Sequence, residues 1–246
     1  VTHAGTGETL GEAVAAGIRD VGGRRVGLIA SATVKLDAAA AAGEAKPGVN
    51  FVRVGNEEDW ARNLASIREA SDTTDVLIVY QHFQVVDEDV APGNEFGHRA
   101  VPDLDEWQRE WARAVIDAGA PVYVAHGARE FKGVEVYRGR LIFYGLGNFI
   151  FHSGQPIGYY AHDVWESVIA TTTFLADGSA RVDFVPIVLD EGSPGANFLE
   201  RRGVPEVAEG TRAADILSRL AALSAELGTE LTVIDDRASL VLAQER

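Results

Sequence analysis

The sequence predicts a mixed α/β (α+β) domain, and three observations carry that reading. Residues 25–30, 76–80 and 122–125 are short apolar runs, rich in β-branched side chains and bounded by polar or glycine residues, as buried strands are. Between them lie stretches with helical spacing, such as residues 57–71, where Trp60, Leu64 and Ile67 recur at i, i+4 and i+7. Two hairpin signals follow, around Arg138-Gly139 and Asp177-Gly178. Strands alternating with helices, then hairpins, suit a layered domain with a mixed sheet, and residues 1–246 are read as one such domain.

The elements follow in order. Residues 9–20 read as a helix opened by Thr9 and Glu12, whose spacing is that of a capping box, and stopped by Gly22-Gly23. The alanine-rich residues 37–47 suggest a short peripheral helix, and residues 51–54 a short strand. The segment 87–102, with two prolines and two glycines, reads as an irregular loop of the kind that is often functional. Asp103 and Glu106 then cap a helix with the stripe Leu104, Trp107, Trp111 and Val115, which Gly119 ends. Residues 134–137 and 140–144 form one hairpin, and residues 166–189 hold another. A Gly/Pro-rich connection over 190–210 leads to a helix over 211–227, stopped by Gly228, and to a last strand at 231–234.

Composition narrows the function. A formal net charge of −15 argues against a nucleic-acid partner, whose backbone must be met by Lys and Arg. The absence of cysteine excludes disulfides, thiolate metal sites and cysteine nucleophiles. No apolar run approaches the roughly 20 residues that cross a bilayer, so no transmembrane segment is expected. The opening Val1-Thr2-His3 is unlike a signal peptide. With no methionine in the sequence, residues preceding Val1 are expected to have been removed, processed away or never sequenced.

Chemistry concentrates at two strand ends. His82 follows the run 76–80, and His126, itself followed by Gly127, follows the run 122–125. Ligands of open α/β sheets bind at the carboxyl ends of strands, and imidazole serves both metal binding and proton transfer. A lone histidine there is more often a hydrogen-bonded structural residue; the repetition favours function. Glu135 in a strand faces either a polar site or solvent. Asn148, between two apolar runs, either buttresses a site or closes a turn. His98 and His152 read as solvent-exposed, as does His162 beside Asp163. Gly5-Thr6-Gly7 lacks both the spacing and the preceding strand of a nucleotide loop and reads as a turn.

These residues resemble a known family. The strand ending in His82, the helix leading to Ala120, His126-Gly127, the strand 133–137 and the run 142–151 resemble the bacterial capsule-synthesis CapA proteins. These are also called poly-γ-glutamate biosynthesis (PGA_cap) proteins, of the calcineurin-like metallophosphatase fold. Arg202-Gly-Val-Pro205 and the end of the last helix are similar to the family's tail. The resemblance implies a β-sandwich flanked by helices, with a divalent metal (Mn, Zn, Fe or Mg) held at strand ends. It implies His82 and His126 as metal ligands; from the residues themselves, catalytic roles are expected for His126, Arg129 and Glu135, with support from Asn148. Arg129 stands where the family has a second histidine; a guanidinium cannot ligate a metal but binds carboxylate or phosphate well. The family's N-terminal third, with an aspartate–histidine pair and an Asn-Asn-His-like segment, is absent here. The chain is therefore expected to begin inside the family's domain and to bind metal weakly by itself.

The implied function is a metal-dependent enzyme of phosphoester or acyl chemistry, acting on an anionic polymer or peptide in capsule or poly-γ-glutamate synthesis, in the bacterial cytoplasm or at the cell envelope. One alternative is a metal-dependent peptide epimerase of a lasso-peptide-like pathway. Another is a non-catalytic binding remnant.

Overall fold

The computed structural model describes residues 2–34, 37–84, 102–175, 179–192 and 198–242. They have the mixed α/β architecture that the sequence predicts, divided between two compact units.

The first unit comprises Val1–Val85, Arg99–Gly127 and Arg140–Ile142. It opens with β1 (Thr6–Gly7), α1 (Leu10–Val14), β2 (Gly17–Val21), β3 (Arg24–Thr33) and β4 (Gly48–Val49). Next come α2 (Glu57–Thr73), β5 (Val76–Phe83), α3 (Pro102–Asp117), β6 (Val122–His126) and part of β8 (Arg140–Phe143). Within its sheet, β2 and β3 pair antiparallel, while β3, β5 and β6 run parallel. Parallel strands are covered on both faces and read as continuous apolar runs, which is why residues 76–80 and 122–125 stood out.

Two expectations are corrected here. The helix expected over 9–20 stops at Val14. Thr9 does cap it, its hydroxyl accepting the Glu12 N–H at 3.2 Å, but Glu12 reaches the Glu8 N–H at 3.0 Å. Residues 17–21 instead form a strand, because Gly22 and Gly23, with φ of 61° and 80°, build a tight hairpin into β3. Two consecutive left-handed residues match the twist of paired strands and do not merely terminate a helix. The strand expected over 51–54 reduces to an isolated bridge between Ala32 and Phe51. There Arg53 turns to bind Asp59 through its backbone N–H (3.1 Å) and its Nε (2.5 Å). Gly5-Thr6-Gly7 contributes the two residues of β1, paired with β4, rather than a plain turn.

The core of this unit is aromatic where α2 meets α3. Trp60 packs edge-on against Trp107 and Trp111, at centroid distances of 5.9 and 4.8 Å, and Trp107 stacks on Phe83 at 5.8 Å. The tryptophan stripe read from the sequence is thus core, and such pairs add roughly 0.5–1.5 kcal/mol each beyond area burial. Asp59 is also buried here. Burial pushes its carboxyl up, but its bonds to Arg53 and the charge of Arg62 outweigh that and hold it below the usual range.

Among the described residues, the second unit comprises Ala128–Gly139 and the part of Phe143–Arg246 that the structure describes. It contains β7 (Val134–Tyr137), β9 (Glu166–Phe174), β10 (Ala180–Leu189), α4 (Phe198–Arg201), β11 (Pro205–Val207), α5 (Gly210–Glu226), β12 (Thr232–Ile234) and β13 (Arg237–Leu242). Long β10 is central and pairs antiparallel with β9, β11 and β13, and β12 pairs with β13. The connection expected over 190–210 therefore holds a helical turn and an edge strand, and β13 was not foreseen. Helix α5 buries Ala213, Ile216, Leu217 and Leu220. Its Ser224 hydroxyl donates to the Leu220 carbonyl at 2.8 Å and accepts the Val134 N–H at 3.0 Å, tying β7 to the helix.

Among the described residues, no helix is long and apolar enough to cross a membrane. The expected loop 87–102 (up to its last residue), His98 and the turn at Asp177-Gly178 lie outside the described residues.

Candidate functional site

Register places the two histidines. In the parallel ladder Tyr80 pairs with Val124 and His82 with His126, so the two imidazoles sit side by side near the carboxyl ends of β5 and β6. Both belong to the strands rather than following them, because the ladder runs through to Phe83 and to His126. Their ring centroids are 4.7 Å apart at 67°, and Tyr80 stacks on His126 at 4.4 Å and 12°. Tyr80 shares their face because strand side chains alternate with period two.

Gly127 keeps the chain close to this pair. Its φ is 111°, and a Cβ there would lie 3.0 Å from the Phe83 carbonyl oxygen and 3.1 Å from His82 Cε1. Any other residue would strain the backbone and crowd the imidazole.

Burial decides the charge state of both rings. It lowers His82 below the ordinary imidazole value, partly offset by a hydrogen bond with Gln84. It lowers His126 to about 4, with the charge of His82 adding to the effect. At neutral pH both rings are uncharged, and each then keeps a nitrogen lone pair, the form in which histidine binds metal or accepts a proton.

The strands beneath are locked by a polar chain that sequence reading missed. The Gln81 amide donates to the Thr33 hydroxyl at 2.6 Å, the Tyr123 hydroxyl donates to the Gln81 carbonyl, and Tyr123 also bonds Gln108. Burial raises the Tyr123 phenol well above its usual value, so it stays protonated and able to donate. Gln81, the polar residue inside an apolar run, was the visible signal.

The second unit holds the remaining candidates. Arg129 lies over the rings of Tyr160 and Phe151, at 5.0 and 5.9 Å, and burial lowers its pKa. Its neighbour Glu130 is raised to about 7, first by burial and also by the charge of Asp163. Glu135 is buried, not on an exposed strand face, and accepts the Tyr144 hydroxyl at 2.6 Å. Asn148 clasps two segments: its side-chain amide donates to the Val164 carbonyl at 3.0 Å, and its carbonyl accepts the Ser167 hydroxyl. His152 is exposed, as expected, and His162 is exposed with Nδ1 3.8 Å from Glu166.

Glu166 was not singled out in the sequence. It is buried, and Arg212 and Arg219 of α5 each reach it at 2.6 Å. Arg219 also covers the Phe131 ring at 4.3 Å. The two ion pairs bridge residues 46 and 53 apart in the chain, and the ring contact residues 88 apart, which leaves no local pattern to read.

The structure therefore brings His82 and His126 together. Among the described residues, no group of three or more His, Cys, Asp or Glu side chains is placed to hold a metal ion.

Comparison with known proteins identifies the family. The family described as bacterial capsule synthesis protein PGA_cap matches residues 1–153, more than half of the chain. An uncharacterized protein of Sinorhizobium fredii, y4sH, is 29% identical over 325 aligned residues, covering 98% of this chain and 69% of that protein. The PGA biosynthesis protein CapA of Bacillus subtilis is 31% identical over 131 residues, covering 53% of this chain and 30% of its own length. The capsule biosynthesis protein CapA of Bacillus anthracis is 30% identical over 135 residues, with 53% and 28% covered. The chain belongs to the bacterial capsule synthesis PGA_cap family.

Proposed function

We infer that this chain forms part of a divalent-metal-dependent enzyme that acts on an anionic polymer or peptide in the synthesis of capsule or poly-γ-glutamate. The observation that carries the reading is the pair of adjacent, uncharged imidazoles at the carboxyl edge of parallel strands. Two neutral nitrogen donors side by side fit a first-row divalent cation, for which imidazole is a good ligand, better than they fit Mg²⁺. The names of the two Bacillus relatives support the polymer class.

His82 and His126 would hold the ion. When bound, a cation of this kind polarises a phosphoryl or acyl oxygen and lowers the pKa of water. The protein's own residues prepare the place: Tyr80 covers one face of His126, Gly127 leaves room beside His82, and the Thr33–Gln81–Tyr123 chain fixes the strands that carry both rings. Arg129, Glu135 and Asn148 belong to the second unit, where Arg129 lies over aromatic rings, Glu135 accepts the Tyr144 hydroxyl and Asn148 holds the segment around Val164.

The test is calorimetric titration of the purified chain with Mn²⁺ and Zn²⁺, beside His82→Ala and His126→Ala, followed by turnover of poly-γ-glutamate and of a phosphoester. Each substitution should weaken binding at least about tenfold, since two donors share the ion. Binding that survives both substitutions unchanged would remove the histidines from the metal site.

A further inference from the structure

The second unit contains a group of buried hydrogen-bond donors that the preceding reading leaves unused. Arg202 is 3% exposed and Trp165 is 2% exposed. The Arg202 guanidinium lies over the Trp165 ring, 5.3 Å from its centroid. One of its nitrogens, Nη1, donates to the Gln155 carbonyl. Its Nε and Nη2, and the Trp165 indole Nε1, are buried and have no hydrogen-bond partner. Among the described residues no carboxylate forms an ion pair with Arg202, in contrast to Arg212 and Arg219, which share Glu166.

The chemistry of these three atoms is specific. All are donors. Arginine stays protonated at any pH a protein meets, so burial cannot neutralise it as it neutralises a histidine. A buried charge without a partner is costly, and removing the counterion from a buried pair is among the most destabilising changes known. Nε and Nη2 form one edge of the guanidinium, the side-on fork that binds two oxygens of a carboxylate or phosphate at once. The indole N–H supplies a donor beside that edge.

The position is also rigid. Gly203, with φ of 73°, leaves so little room that a Cβ would lie 2.1 Å from the Phe151 carbonyl oxygen. Its N–H donates to the Asp190 carbonyl at 2.7 Å, and its own carbonyl accepts the Phe151 N–H at 3.2 Å. Phe151 and Tyr160 pack with Trp165, at 5.2 and 6.2 Å between centroids. Asp163, in the same turn as Trp165, makes no ion pair with Arg202, so the guanidinium charge is not met from within the turn.

We propose that Arg202 and Trp165 form a binding site for an oxyanion, with Nε and Nη2 of Arg202 gripping two of its oxygens and the Trp165 indole N–H donating to it. The ligand class is the carboxylate of an acidic peptide or a phosphate group, which present the same pair of oxygens. The site is independent of the histidine pair and of any metal.

The test uses the full chain labelled with ¹⁵N, at low salt, titrated in separate arms with glutarate, a short γ-linked glutamate peptide, inorganic phosphate and chloride. The expected result is a saturable shift of the Arg202 Nε–H and Trp165 indole resonances. Movement with glutarate and the peptide assigns a carboxylate site, and movement with phosphate alone assigns a phosphate site. Arg202→Lys keeps the charge but loses the fork, so affinity should fall about tenfold or more. Trp165→Phe keeps the ring and should weaken binding by a smaller factor. No movement of the wild-type Arg202 resonance in any arm overturns the proposal, and so does an equal shift with chloride. The wild-type spectra decide the matter even if a variant does not fold.

Discussion

The two units bury polar groups by opposite means. At the histidine edge of the first unit, burial strips the charge away, taking His126 to about 4. Around α5 and α4 in the second unit, charge is kept: the buried Glu166 is met by the partly exposed Arg212 and Arg219, and the buried Arg202 meets no carboxylate among the described residues. The difference lies in the side chains. An imidazole releases its proton when desolvated and becomes a lone-pair donor. A guanidinium cannot, so it must be given an anion or remain ready for one. The first strategy suits binding a cation, and the second suits binding an anion.

The sharpest way to break this comparison is to remove the anion that is already present. Glu166→Ala leaves the partly exposed Arg212 and Arg219 without their shared carboxylate and, after solvent screening, should cost about 2 kcal/mol, read as a lower urea midpoint at unchanged slope. A cost near zero would mean that solvent already neutralises these guanidiniums, and the second unit would no longer contrast with the first. On the uncharged side, Tyr123→Phe deletes a buried donor and leaves the Gln81 carbonyl without it, at an expected cost of roughly 1–3 kcal/mol. It should also broaden or shift the His82 and His126 resonances, which a purely local defect would leave in place.

The effect with the clearest sign is the dependence on pH, which is small near neutral pH because both forms of the chain are then largely unprotonated at His126. The folded chain holds His126 at about 4, against 6.5 for the ordinary group. The unfolded chain therefore takes up the proton first as pH falls. The stability contributed by keeping this ring neutral is complete above about 6.5, declines as pH falls from there towards about 4, and is level below that. Glu130, raised to about 7 from 4.5, acts in the other direction, its contribution being full below about 4.5 and lost as pH rises through about 7. Histidine-resolved NMR titration separates the two. A His126 midpoint near 6.5 would show the edge to be solvated and end the contrast between the units.

Much of the first unit was legible in the sequence, for a local reason. Parallel strands buried on both faces must be apolar throughout, so a histidine at the end of such a run is visible without knowing the fold. The same logic found α2, α3 and the tryptophan core. It failed at residues 17–21, where a sound capping signal at Thr9 was extended past its helix and a left-handed hairpin turn was read as a helix stop. It failed again at β13, whose pairing with β10 spans more than fifty residues and whose hairpin with β12 turns at Asp235, with φ of 49°, without the glycine that would mark it. Glu166, Arg202 and Trp165 were opaque for the same reason. Each looks ordinary in its own segment, and only tertiary structure decides whether a buried charge finds a partner. Glu135 shows the limit from the other side: an acidic residue in a strand was recognised as unusual, but whether it faced Tyr144 or water was not a property of its neighbours in sequence.

The pairing of His82 with His126 has a kinetic consequence. The partners lie 126 − 82 = 44 residues apart, with α3 inside the loop that their strands close. Contacts of that separation require loop closure before they stabilise anything, so parallel pairing is slow compared with the local hairpin of β2 and β3. A slip of one residue between β5 and β6 would also turn one imidazole to the opposite face, since strand side chains alternate. The two rings therefore meet only when the register is right, and their contact forms late. Stacking of Tyr80 on His126 is thus a natural clock for this unit: in refolding experiments it should appear after the hairpin and together with the last of the sheet.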